Sequence, residues 1–122
     1  MLPRQYDFDE LRFFADIKAH PAMWFGRPSL QSLVDHLWGM EYAFSYCTDE
    51  SPLKYIWLFT KWYEKEVVKD QGTYASWYNH MLYHSGCRDD LAFEYFFHHF
   101  ERYLRDVHNL SLPEPTPLKR GN

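Results

Sequence analysis

The chain has 122 residues, of which 46% are hydrophobic and 20% aromatic, with a formal net charge of −4 at pH 7, which suits one domain around one hydrophobic core. Apart from Lys119 and Arg120 its cationic residues are scattered, which argues against nucleic-acid binding. No apolar run has the length of a membrane span or of a signal peptide, so we expect a cytoplasmic protein in which Cys47 and Cys87 remain reduced.

The first predicted helix spans residues 7–19. Asp7 and Glu10 have the three-residue spacing of a capping box, and apolar residues recur at helical intervals after them. Proline ends this helix, because the residue before a proline avoids the helical conformation. Residues 21–28 are therefore predicted to form a loop whose apolar side chains are tucked against the core.

The second predicted helix extends to about residue 46, and Ser29 is its natural N-cap. Its buried face is traced by leucines at helical spacing and is widened by Val34 and Trp38. Gly39 lies in its middle, where glycine weakens a helix by about 1 kcal/mol relative to alanine. We therefore expect a close crossing with another helix at this glycine.

The third predicted helix runs to about residue 69. It begins at Ser51 and Pro52, which combine a capping hydroxyl with a proline at the first helical position. Gly72 ends this segment. Thr73 then caps a shorter fourth helix at residues 74–84.

The fifth predicted helix, residues 89–108, has the most apolar pattern and is expected to lie at the centre of the fold. The sequence thus predicts an all-α fold, a single-domain bundle of about five helices in residues 1–110. Residues 111–122 are proline-rich and are predicted to form an extended or disordered tail.

Two pairs of residues raise the alternative of a metal-binding helical bundle. His80 and His84 are four residues apart, as are Glu94 and His98, so each pair can point from one helix face. If the pairs faced each other, they would form a histidine/carboxylate site for an enzyme or a ligand-binding protein. The Glu-x-x-His and His-Glu-x-x-His patterns are absent, however, so no metal or other cofactor is expected.

No catalytic signature is found elsewhere. No serine lies in a Gly-x-Ser-x-Gly turn, and the five glycines stand alone rather than in a phosphate-binding loop. We therefore expect a binding protein and not an enzyme.

Two stretches of the sequence are similar to a known family. The first contains Pro-Ala-Met-Trp-Phe-Gly at 21–26 and Leu-Trp-Gly at 37–39, and the second contains Asp-Asp-Leu-Ala-Phe at 89–93 and two phenylalanines at 96–97. With their flanking helices they cover about half of the chain, and they resemble immunity proteins of contact-dependent growth inhibition and other polymorphic toxin systems. The resemblance implies a cytoplasmic bacterial protein that binds one cognate toxin domain, often a nuclease, and blocks its active site or substrate cleft.

The composition suits a basic partner of this kind. Nucleases need basic clefts to hold nucleic acid, and an acidic protein rich in Tyr and Trp would be attracted electrostatically and anchored by its rings. The candidate toxin-binding residues are acids on polar helix faces and neighbouring tyrosines: Asp35, Glu41, Tyr42, Tyr46, Asp49, Glu50, Glu64 and Glu66. Further aromatic candidates are Tyr55, Tyr74 and Tyr78.

Overall fold

Six α-helices make up most of residues 8–69 and 76–118, the residues that the computed structural model describes. In chain order they are α1 (Glu10–Ala19), α2 (Pro21–Phe25), α3 (Leu30–Phe44), α4 (Tyr55–Tyr63), α5 (Trp77–His84) and α6 (Asp89–His108). A π-helical segment, Glu64–Val68, continues α4. These residues contain no β-strand, so the prediction of an all-α fold is confirmed.

The core is built around α6, which packs against α3, α4 and α5. It supplies eight buried residues, and its Phe100 ring lies 4.8 Å from Phe14 of α1 and 5.3 Å from Phe59 of α4. Edge-to-face and tilted ring pairs of this kind contribute about 0.5–1.5 kcal/mol each beyond the burial of their area. These many ring contacts therefore help to stabilise a chain that is too short to form a large core.

The segment predicted as a loop contains the short helix α2. Pro21 stands at its first position, where the missing N–H has no helical partner, and Gly26 ends it in the left-handed conformation with φ of 77°. The expectation that its apolar side chains are tucked away is wrong for Met23, which is 61% exposed, and for Trp24, which is 39% exposed. Phe25 is half-buried.

The start of α4 also differs from the prediction, because the helix begins at Tyr55 and not at Pro52. The Ser51 hydroxyl accepts a hydrogen bond from the backbone nitrogen of Leu53 but does not cap α4. The cap comes from Glu10 of α1, whose carboxylate accepts hydrogen bonds from the first backbone N–H groups of α4.

Two other caps lie near the predicted positions. Asp9 caps α1 by accepting from the backbone nitrogen of Arg12, and Ser76 caps α5 by accepting from that of Asn79. The fourth predicted helix thus begins at Trp77, three residues later than expected, whereas the fifth begins at Asp89 as predicted. The predicted signals at Asp7, Gly72 and Thr73, and Tyr74 itself, lie outside the described residues.

Gly39 does not mark a helix crossing, contrary to the prediction. It is exposed, and apart from its chain neighbours and the backbone of α3 no described atom lies within 4 Å of the position that a β-carbon would occupy. The internal packing of the described residues therefore gives no reason for a glycine here.

Residues 109–118 follow α6 without forming a helix or strand. Leu110 and Leu112 pack against the core, and the Thr116 backbone nitrogen and hydroxyl donate to the two carboxylate oxygens of Asp16 in α1. Residues 119–122 of the predicted tail lie outside the described range. Among the described helices, none combines the length and the apolar character that a membrane span needs.

Candidate protein-binding surface on α3

The solvent-facing side of α3 carries a row of large aromatic residues, which we call the aromatic stripe: Trp38, Tyr42 and Tyr46. They are four residues apart, so they lie above one another on one helix face, with Tyr46 in the turn that follows α3. Their exposed fractions are 57%, 68% and 75%. A contiguous group of exposed rings is typical of a surface that docks another protein.

The rings of the stripe are held in place before any partner binds. Trp38 packs against Trp57 of α4 with ring centroids 5.3 Å apart, and the Trp57 indole nitrogen donates to Glu41 at 2.5 Å. Tyr42 and Tyr46 pack edge to face with centroids 5.3 Å apart, and their hydroxyl oxygens are 3.0 Å apart. Because these side chains are already ordered, docking would lose less conformational entropy than with free rings.

The hydrogen bond with Tyr42 also affects the ionisation of its neighbour. It raises the pKa of Tyr46, since the neutral phenol makes the better hydrogen bond. Tyr46 therefore remains uncharged at neutral pH.

The segment that carries the stripe is acidic. Residues 28–53 contain four acidic residues and no Lys or Arg, whereas the remaining 13 acids are matched in number by the 13 Lys and Arg of the whole chain. The net charge of −4 therefore equals the charge of this segment. The last turn of α3 contains no basic residue, so the negative end of its helix dipole adds to the same potential.

The structure brings most of the candidate toxin-binding residues into this region. Asp35 is exposed and Glu41 half-buried on α3, Tyr42 and Tyr46 belong to the stripe, and Asp49 and Glu50 are exposed in the following loop. Glu64 and Glu66 are exposed on a different element, the π-helical segment.

Trp38 was predicted to lie on the buried face of α3, and this prediction is wrong, because the side chain is exposed. Its four-residue spacing from Tyr42 was the signal that could have placed it with the exposed rings. The other aromatic candidates do not join the stripe: Tyr55 is half-buried against His108, and Tyr78 is half-buried against Trp77.

The alternative metal site is not formed by its four residues. His80 is buried and its Nδ1 atom lies 2.7 Å from the Tyr63 hydroxyl, with the His84 ring tilted against it at a centroid distance of 4.3 Å. Glu94 and His98 instead line an open groove of about 490 Å³ with Lys18 of α1. Within residues 8–69 and 76–118, no group of three or more His, Cys, Asp or Glu side chains is arranged to hold a metal ion. The four residues of this alternative therefore do not come together as a metal site.

The structure also contains a buried histidine near these residues. His99 is 8% exposed, its ring centroid is 4.4 Å from that of Tyr95, and its Nδ1 atom has no hydrogen-bond partner among the described residues. Burial lowers the pKa of His99 to about 4, helped by the nearby positive charges of His98 and Arg102. The imidazole is thus neutral at physiological pH and would destabilise the fold if it were protonated.

Comparison with models of known protein families, with curated protein sequences and with solved structures gave no match. The functional interpretation therefore depends on the aromatic stripe and the carboxylates around it.

Proposed function

We propose that this chain is an immunity protein, which binds a cognate bacterial toxin domain and neutralises it by covering its active site. In this proposal the toxin is a nuclease, and the chain acts in the cytoplasm as an inhibitor and not as an enzyme. The observation that carries the proposal is the aromatic stripe, because it combines three exposed rings with a segment that has four carboxylates and no Lys or Arg.

The two parts of the surface would have different tasks. The carboxylates of Asp35, Glu41, Asp49 and Glu50 would attract a basic substrate cleft and accelerate association, an effect that weakens as salt concentration rises. The rings would supply most of the affinity, because Trp and Tyr anchors that fill pockets at the centre of an interface contribute about 2 kcal/mol or more each. A bound carboxylate would then take the place of a substrate phosphate.

The structure is also suited to rigid docking. The stripe lies on a helix of 15 residues, and Trp38 is positioned through Trp57 by the Glu41 carboxylate. Surfaces built on regular elements and supported by a further layer of contacts keep their geometry better than surfaces on loops.

The test is co-expression with the C-terminal domain of the large secreted protein that the proposal expects to be encoded directly upstream. We expect the full chain to restore growth of cells that express this domain, and to inhibit its nuclease activity at equimolar concentration. The double variant Trp38→Ala/Tyr42→Ala should lose this protection. Tyr83→Ala is the matched control, because it removes a tyrosine of similar exposure from α5.

Two results would overturn the proposal. One is the absence of any such domain upstream together with no growth effect of the full chain. The other is full protection by the double variant at wild-type affinity, with folding of both proteins checked by circular dichroism.

A further inference from the structure

Gly39 lies beside the N-terminal end of the aromatic stripe, next to Trp38 and one turn before Tyr42, and its missing side chain leaves a hole in the surface. On any α-helix, residues at i, i+3, i+4 and i+7 surround a hole that can receive a side chain of a partner. Here these residues are Asp35, Trp38, Gly39 and Tyr42. The positions around the hole thus hold one acidic and two aromatic residues, and glycine forms its floor.

The hole is not filled by the rest of the protein. Apart from its chain neighbours and the backbone of α3 itself, no described atom lies within 4 Å of the position of a β-carbon at Gly39. The neighbouring rings do not fill the space, because Trp38 packs against Trp57 and Tyr42 packs against Tyr46.

The fold itself does not require glycine at this position. The described glycines with positive φ are Gly26 and Gly86, whereas Gly39 has ordinary helical geometry in the interior of α3. Glycine is among the least favourable residues in a helix interior, second only to proline. A residue that weakens the helix without serving its packing indicates that something outside the chain approaches the backbone here.

Asp35 has a carboxylate that can bind a cation. Its Oδ1 atom accepts a hydrogen bond of 3.1 Å from the Gln31 side-chain amide, which orients the carboxylate. Asp35 forms no ion pair with any Lys or Arg among the described residues.

We infer that the hole formed by Asp35, Trp38, Gly39 and Tyr42 is a receptor for one arginine side chain of the partner. The inference rests on the proposed function and specifies how the partner is recognised. The guanidinium group pairs with the Asp35 carboxylate and stacks on an exposed ring, while its aliphatic stem lies over Gly39. Arginine suits this site better than lysine, because its planar group both stacks on rings and binds carboxylates through two donors.

A second copy of this chain is a poor occupant of the same face. Pairing two α3 surfaces would bring four acidic residues of one copy against four of the other, without a cation from either segment. Like charges placed opposite each other disfavour such a contact. A partner that carries an arginine provides the complementary charge.

The first test uses the toxin domain and variants of the hole. Asp35→Asn removes the charge and keeps the shape, and Gly39→Leu fills the hole. Each should weaken binding by about tenfold or more, which corresponds to the loss of one charge-assisted or stacking contact. Ala22→Leu is the control. It places a leucine at an exposed position of α2, away from the hole, and should leave binding unchanged.

The second test does not depend on a toxin. A phage-displayed library of helical peptides is selected against the full-length protein, and the enriched peptides are measured by isothermal titration calorimetry. We expect them to contain an arginine whose replacement by glutamine weakens binding about as much as Asp35→Asn does. Coupling of the two changes in a double-mutant cycle would identify the pair.

The outcomes separate this inference from the proposed function. Protection from the toxin that survives Asp35→Asn and Gly39→Leu overturns the inference and leaves the proposed function standing. Arginine peptides that bind the hole, with no toxin neutralised, overturn the proposed function alone. Enriched peptides without arginine, or a dimer in sedimentation that Gly39→Leu disrupts, overturn the inference.

Discussion

The carboxylate of Glu10 in α1 accepts a hydrogen bond of 2.8 Å from the backbone nitrogen of Ile56 in α4. It also accepts from the backbone nitrogens of Lys54 and Tyr55, at 2.6 and 2.9 Å. Burial raises the pKa of Glu10, while these three N–H groups favour its charged form and act in the opposite direction. One buried side chain thus caps a helix that begins 45 residues later in the sequence.

Replacement of Glu10 should destabilise the protein strongly. Glu10→Ala leaves three backbone donors at the start of α4, one of them buried, without an acceptor, and should lower the free energy of unfolding by about 2–4 kcal/mol. Glu10→Gln should have a smaller effect, because its amide oxygen can still accept. Urea denaturation measures both, with the exposed Glu66→Ala as a control expected within about 0.5 kcal/mol of wild type. A Glu10→Ala protein as stable as this control would contradict the capping role.

Stability should decrease in mild acid because of His99. The folded protein keeps this imidazole neutral down to about pH 4, whereas the unfolded chain takes up the proton near pH 6.5. Between these values the unfolded state binds more protons, so its free energy falls relative to the folded state as pH decreases. The contribution of His99 should be up to about 1.4 kcal/mol per pH unit in this window.

Urea denaturation at several pH values between 7.5 and 4.5 measures this dependence. His99→Phe should make the decrease less steep, since it keeps an aromatic ring but removes the titrating group. Tyr95→Phe, which changes a ring in contact with His99 without removing the imidazole, should retain the wild-type slope. An equal slope in wild type and His99→Phe would exclude His99 as the cause.

Gly39→Ala should stabilise the isolated protein. The added methyl group meets open space, and alanine is more favourable than glycine in a helix interior by up to about 1 kcal/mol. Thermal and urea unfolding measure the gain. Gly26→Ala is the contrasting variant. The backbone of Gly26 has a φ of 77°, which is unfavourable for alanine, so this change should destabilise the protein. A destabilised Gly39→Ala would mean that the glycine serves the fold and not a partner.

Removal of the Glu41 carboxylate should disturb Trp57 and, through it, Trp38. Glu41→Ala leaves the half-buried indole N–H without its acceptor, which should lower stability by about 1 kcal/mol. The Trp57 indole proton resonance, assigned by Trp57→Phe, should shift in the nitrogen–proton NMR spectrum. Asp35→Ala removes a carboxylate of the same helix that does not contact an indole and should leave this resonance in place.

The helix starts show what the sequence could reveal about the fold. Ser29 caps α3 by accepting from the backbone nitrogen of Ser32, and α6 begins at Asp89, both as predicted, because these signals are local. The start of α4 could not be read in this way, since its cap belongs to a distant helix. Ser51 and Pro52 carry local signals for a helix start, but the contact with Glu10 determines where α4 begins.

The candidate surface was predictable only in part. The polar positions of α3 around Asp35 and Tyr42 follow from helical periodicity. Trp38 was misplaced because α3 has large apolar residues on both sides, and periodicity does not tell which side meets the core. The ordering of Trp38 by Trp57, and the open space above Gly39, depend on how α4 lies beside α3 and have no signature within either segment.

The acidity of residues 28–53 also affects how the molecule meets a charged surface. The segment contains four carboxylates and no Lys or Arg, so a cationic surface attracts this part of the chain. At physiological ionic strength the attraction acts over about 8 Å. Encounters in which α3 faces a cationic partner are thereby favoured, and fewer random collisions are needed before a productive one.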